Sequence, residues 1–389
     1  MNELPEGWVW KKLGEVCEII MGQSPPSDTY NDNGKGLPFF QGKAEFTELY
    51  PLVRKWCNSP NKIAEPDDIL LSVRAPVGTT NIANQKCCIG RGLAAIRYEN
   101  YKFVFYFLRS IEQELDKKGT GTTFRAISGE TIRTTDLPPL PVQHAIVTKI
   151  EEIFSELDHG VEQLKTARAQ LKVYRQAVLK WAFEGRLTEA DIVEGELPAG
   201  WKVEQLSRVC KFSQGIQVPI GNQKIDPFPG SVRFLRIIDF TQGDDPPRYI
   251  ENPGEKYLLK KDEIAMVRYG TVGFVCTGKE GIIANNLFKI VPVESLTKKY
   301  LIHFLKSHLF MGKLETKGAT MQALSFGLIN PIPIPLPPLS EQHQIVSEIE
   351  RRLSVCDKLE ETIEAGLKQA EVLRAGVLKM AFEGRLVGS

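Results

Sequence analysis

The chain has 389 residues, of which 25% are charged and 42% apolar, with a formal net charge of +1. That length calls for more than one domain, each burying its own core, and the near-neutral balance excludes a uniformly basic nucleic-acid binder, leaving room only for a local basic surface. The seven cysteines, odd in number and without a C-x-x-C, exclude a disulfide framework and a structural zinc site and suit a reducing cytoplasm.

The opening residues MNELPEGWVWKKL carry acids, Pro and Gly where a signal peptide would be apolar. No apolar run approaches the roughly 18–20 residues of a membrane span. A cytoplasmic protein without membrane contact is expected. From there the chain is rich in Gly, Pro and β-branched residues, and segments such as DILLSVR and NIANQKCCIG read as short strands between turns. YKFVFYFLRSIEQELDKKG then reads as one helix with Gly119 at its C-cap, and its aromatic stretch Tyr101–Leu108 as core packing. The proline cluster LPPLP halts regular structure.

After the cluster the period changes. Val147, Ile150, Phe154, Leu157, Val161 and Leu164 fall at alternating steps of three and four, Leu171 and Val178 continue them at steps of seven past a skip near Arg168, and together they predict a long helix with one apolar seam. The segment closes on AFEGRL at 182–187.

The second half repeats the first. LPEGW at Leu4 returns as LPAGW at Leu197, aligning Trp8 with Trp201, Leu13 with Leu206, Cys17 with Cys210 and Gly22 with Gly215. SVRFLRIIDF reads as strand, PDDILLSVRAPVG (66–78) resembles KDEIAMVRYGTVG (261–273), and FLRS (107–110) returns as FLKS (304–307). KYLIHFLKSHLFMGKLETKG predicts a helix capped at Gly318. LPPLPVQHAIVTKIE and LPPLSEQHQIVSEIE are separated by 336 − 137 = 199 residues, as are the two copies of AFEGRL (381 − 182 = 199). The second seam runs Val346, Ile349, Leu353, Cys356, Ile363, Ala370 and Val377, with Glu360 interrupting it where Val161 continues the first.

About 45 residues of helix extend roughly 65–70 Å and need a partner, and the other copy is the obvious one. The expected fold is α+β. Two similar globular domains of short strands plus a few helices, over 1–140 and 189–339, are joined by two long helices, over 141–188 and 340–389. The helices form an antiparallel coiled coil, and the internal repeat implies a pseudo-two-fold relation.

Motifs for bond-making chemistry fail on inspection. Asp245-Pro246-Pro247 is followed by Arg248 rather than the aromatic of an adenine methyltransferase, and no F-x-G-x-G loop accompanies it. Asp67, Asp68 and Asp116 only loosely echo a metal-dependent nuclease, and GKG at 34–36 lacks a phosphate-loop frame. His144 and His343 occupy matching places after the proline clusters, where a structural hydrogen bond at the helix entry is expected. No catalytic residue and no metal site are expected.

LPPLPVQHAIV and LPPLSEQHQIV, each leading into a long helix that closes on AFEGRL, and each preceded by a variable segment opening LPEGW or LPAGW, resemble the specificity subunits of type I restriction–modification systems. The resemblance covers essentially the whole chain. Glu341-Gln342 matches the family pattern, whereas Val142-Gln143 departs from it. The resemblance implies a non-catalytic subunit whose two target-recognition domains each read one half of an asymmetric bipartite site in double-stranded DNA. It implies a coiled-coil ruler fixing the spacer, and docking of two methyltransferase subunits and two restriction (motor–nuclease) subunits. S-adenosylmethionine, ATP and Mg would then sit on those partners, with no cofactor in this chain. The alternative is a non-catalytic coiled-coil adaptor whose globular domains bind proteins.

Base readout needs Arg, Lys, Asn or Gln on loops between strands. The candidates are Gln23, Gln41, Lys43, Arg74, Arg91 and Arg125 in the first domain, and Gln217, Arg236, Arg268, Tyr269, Asn285 and Gln322 in the second. Arg74 and Arg268 lead, since each ends a strand before a Gly-containing turn, and Thr120–Thr123 is either a source of donors to phosphate or an ordinary flexible loop.

Overall fold

The computed structural model describes residues 11–121, 125–137, 143–188, 192–193, 196–241, 245–315 and 324–386. The chain divides into two compact units, residues 1–164 with 364–389, and residues 165–363. Both long helices are continuous, Gln143–Phe183 and Leu339–Phe382. Each is shared: the first half of one and the last part of the other belong to the first unit, and the converse holds for the second.

In the first unit a four-stranded antiparallel sheet runs in the order Glu18–Met21, Leu93–Arg97, Ile69–Ser72, Thr80–Ile82. The second unit repeats it with Cys210–Gln214, Leu287–Pro292, Ile264–Val267 and Val275–Cys276. Each unit adds a second sheet containing one parallel pair: Leu37–Phe40 with Cys87–Ile89, and Ser231–Leu235 with Gly281–Ile283. The two scaffolds share several backbone bonds at matching positions. Gly22 N donates to Leu93 O at 2.9 Å, as Gly215 N does to Leu287 O at 3.0 Å. Gly90 N donates to Phe40 O and Ala284 N to Leu235 O, at 2.8 and 2.9 Å. At Gly22 and Gly215 a Cβ would come within 2.2 Å of the carbonyl oxygens of Gly90 and Ala284, so only glycine lets the strands pass.

The sequence predicts one helix after each sheet, and the structure has two. Tyr101–Ser110 is followed by Glu112–Lys117, and Lys298–Lys306 by His308–Glu315. Repeated serines mark the break. Ser110 Oγ donates to Phe107 O and Ser307 Oγ to Phe304 O, at 2.7 and 2.6 Å, and Ser307 adopts an extended backbone. Gly119 follows the second piece, its N–H bonded to Asp116 O at 3.0 Å, while Gly318 lies outside the described residues. The aromatic helix is core, with Phe103 through Leu108 buried.

Within the first unit Ile146, Val147, Ile150 and Phe154 pack in one cluster with Leu378, Ala381 and Phe382, and Leu157 and Val377 lie at its margin. Within the second, Val178, Leu179 and Phe183 pack with Ile345, Val346 and Ile349, and Leu353 lies at the margin. Early residues of one helix thus meet late residues of the other, which is antiparallel pairing in each unit. Val161 and Leu164 are half-buried; a Cβ at Gly366 would meet Leu164 Cδ1 at 3.1 Å, so a small residue lets these helices close up. Leu171, Cys356, Ile363 and Ala370 are buried.

The AFEGRL repeat has a packing reason. Phe382 meets Phe103 and Phe107 edge-on at 5.3 and 5.4 Å, and Phe183 meets Tyr300 and Phe304 at 5.1 and 5.3 Å. Truncating such a buried ring costs about 3–5 kcal/mol. Gly185 (φ 80) and Gly384 (φ 72) then take the left-handed conformation that ends the helices.

Candidate nucleic-acid interface

In the first unit the loops at one end of the sheet enclose a cavity of about 220 Å³, with Gln41, Lys43, Ser72, Arg74 and Arg91 among its lining residues. Four of the six residues singled out in this domain therefore converge. The G-R-G sequence at 90–92 permits it. Gly92 N donates to Gln41 O at 3.1 Å, and a Cβ on Gly92 would lie 2.4 Å from that oxygen. Ser72 Oγ donates to Arg74 O at 2.9 Å, and Arg91 N donates to Ser24 Oγ at 3.2 Å, so hydroxyls fix both arginine backbones.

Lys43, Arg74 and Arg91 are exposed, and no carboxylate lines the cavity. Among the described residues none of the three has an ion-pair partner. Three unneutralised cations and an amide around one concavity make a local positive potential on a chain of net charge +1.

The remaining candidates of this domain are not among the cavity's lining residues, although Arg125 O accepts from Ala75 N at its edge at 2.9 Å. Arg125 pairs with Asp116 at 3.1 Å. Gln23 is exposed, its N–H bonded to Ile89 O at 3.1 Å. Thr120 is held to Ala126 by backbone hydrogen bonds at 3.0 Å, and Thr122 and Thr123 lie outside the described residues.

The second unit fills the same backbone positions differently. Val73 N donates to Gly92 O and Arg268 N to Asn286 O, and Ile127 N donates to Val73 O as Leu324 N does to Arg268 O, all at 2.8–3.0 Å. Arg268 is therefore the counterpart of Val73, and Tyr269 that of Arg74. The two leading arginines thus occupy adjacent rather than equivalent positions, and successive side chains point to opposite faces. Arg74 is exposed at the cavity, whereas Arg268 is half-buried, its Nε bonded to Leu324 O at 3.1 Å and its guanidinium 5.2 Å from the Tyr269 ring. Tyr269 is exposed.

By the same register Arg236 replaces Gln41, and its charge is already met. It pairs with Asp239 at 3.1 Å and Asp245 at 2.7 Å and donates to Pro246 O at 3.1 Å. The D-P-P stretch thus serves as a brace. Asp239 also takes Arg233; burial pushes its carboxyl up, but these hydrogen bonds outweigh burial and hold it below the ordinary range. Asn285 Nδ2 donates to Gln217 Oε1 at 3.4 Å, and Gln322 lies outside the described residues.

Sequence reading missed Ser24, Ser72 and Asn286. The glycines flanking Arg91 were the available signal for close backbone approach. Among the described residues no group of three His, Cys, Asp or Glu is placed to hold a metal ion, and no helix is long and apolar enough to cross a membrane. His343 Nδ1 lies 2.7 Å from Leu339 O, a hydrogen bond at the helix entry.

One scaffold built twice, with unlike side chains at matching loop positions and a shared pair of long helices, defines a tandem recognition protein of α+β class. The sequence profile described as "Type I restriction modification DNA specificity domain" matches residues 5–170 and again 198–369. The chain belongs to that family. It is 40% identical over 195 residues to the chain put forward as the MjaX specificity subunit of a type I restriction enzyme in Methanocaldococcus jannaschii, covering 48% of this chain and 45% of that one. With the type I restriction enzyme EcoBI specificity subunit of Escherichia coli it shares 21% identity over 98% of its own length and 86% of the other. Its fold resembles the crystal structure of the HsdS subunit from Thermoanaerobacter tengcongensis, with TM-score 0.63 and 21% identity over 98% of each chain.

Proposed function

We propose that the chain is the DNA specificity subunit of a type I restriction–modification complex. Each unit reads one half of a bipartite site in double-stranded DNA, and the paired helices set the unread spacer. The observation that carries this reading is a backbone whose bonds recur at matching positions with different polar side chains at the same loops. A scaffold that is kept while its presented residues differ suits two half-sites of different sequence. The unneutralised cations of the first unit suit phosphate and guanine, and Tyr269, Asn285 and Gln217 of the second suit a less charged readout.

The chain itself does no chemistry on this reading. Two methyltransferase subunits and two restriction subunits supply it, carrying S-adenosylmethionine, ATP and Mg. Exposed Val173, Tyr174, Val355 and Leu359 on the helices of the second unit, and Val372, Leu373 and Met380 on those of the first, offer apolar surface for such partners. The setting is the cytoplasm.

A map of methylated adenines in cells expressing the chain with its methyltransferase tests the proposal. Two unlike short half-sites around a constant gap, absent when the chain is omitted, are expected. Methylation that survives its omission would refute the assignment.

A further inference from the structure

We propose that Arg91 and Asn285 are equivalent base-reading positions, Arg91 contacting a guanine in one half-site and Asn285 an adenine in the other; this rests on the function proposed above. The equivalence comes from the backbone. Leu93 and Leu287 accept the same bond from Gly22 and Gly215, and Gly92 and Asn286 accept the same bond from Val73 and Arg268. The residue before each of those acceptors is Arg91 or Asn285.

Their surroundings correspond as well. One residue beyond the bonds from Gln23 N to Ile89 O and from Ile216 N to Ile283 O come Ser24 and Gln217. Ser24 Oγ accepts from Arg91 N at 3.2 Å, and Gln217 Oε1 accepts from Asn285 Nδ2 at 3.4 Å. Both domains therefore use the same neighbour to hold the same position.

The chemistry at the two positions differs in the way that base edges differ. Arg91 stands between two glycines, is exposed, and has no ion-pair partner among the described residues. Its fork of donors matches the N7 and O6 acceptors of guanine, and Gln41 at the same cavity adds an amide. Asn285 presents an amide with one donor already directed to Gln217, leaving the other donor and the carbonyl for the N7 and N6 of adenine. Arg236, which could have put a cation beside it, is held by two aspartates.

The test is selection from a randomised duplex DNA library by the full chain assembled with its methyltransferase, comparing wild type with Arg91→Asn, Arg91→Lys and Asn285→Arg. Arg91→Asn is expected to lower the preference for guanine at one position of one half-site by ~10-fold, with the gap and the other half-site unchanged. Asn285→Arg is expected to lower the adenine preference in the other half-site. Arg91→Lys keeps the charge and loses the fork, so it should also relax that position. Unchanged selection would overturn the inference, and so would a uniform loss of binding with no positional change, which would make Arg91 a phosphate contact. If the wild type itself selects no two-part site, the proposed function fails instead.

Discussion

Arg175 on the first long helix pairs through Nη2 with Asp357 on the second at 2.7 Å. Arg374 pairs with Asp158 in the other unit, and both members have moved by one repeat, 374 − 175 = 199 and 357 − 158 = 199. The helices thus make the same contact with the roles exchanged, which is what two copies of one segment do when paired antiparallel. Arg175 also takes Glu360 at 2.9 Å, which explains the polar interruption of the second seam, and Arg374 lies 4.9 Å from the Phe154 ring.

These pairs are partly exposed, so each contributes about 0.2–1 kcal/mol. Arg175→Asp is expected to lower the urea midpoint, and the double change Arg175→Asp with Asp357→Arg to recover most of it. A double variant no more stable than the single one would remove the pair from the account.

Gln342 is buried and uses its whole amide. Its Oε1 accepts from Thr297 N at 2.8 Å, and its Nε2 donates to Ser295 O at 2.8 Å and Pro337 O at 3.0 Å. Gln342→Leu strands three backbone groups and should cost about 3 kcal/mol. Gln143, its repeat partner, has only long contacts from Tyr98 at 3.5 Å and Asn100 at 3.3 Å among the described residues. Gln143→Leu should cost about 1 kcal/mol, and equal losses in denaturant melts would contradict the difference.

His303 has its pKa lowered to about 4, chiefly by burial and next by Lys306. The unfolded chain therefore takes up the proton first. Stability from keeping this ring neutral is fully present above about pH 6.5 and declines as pH falls toward about 4. The decline amounts to at most about 3 kcal/mol. His303→Gln should flatten the dependence of the urea midpoint between those limits, and an unchanged slope would assign the acid sensitivity to other groups.

Removing one heptad from each helix, at positions related by the 199-residue offset, should shorten the methylated site's gap and keep both half-sites. Sequencing of methylated adenines reads this directly. Altered half-sites would mean that the helices take part in reading bases as well as spacing them.

The amino-acid sequence by itself determined the repeat, the helix seams and the family. Each is a local pattern: a period of three and four, a proline cluster, a glycine after a terminal phenylalanine. Val147, Ile150, Phe154, Val346 and Ile349 are accordingly buried where periodicity puts them. Only the tertiary structure decided which half of each helix serves which unit, and that Phe382 closes the core begun by Phe103. Those outcomes depend on pairings between residues far apart in the chain, where a shift of one residue reverses the face a side chain presents. The convergence of Gln41, Lys43, Arg74 and Arg91 is of the same kind: four loop residues meet because two glycines let their strands approach.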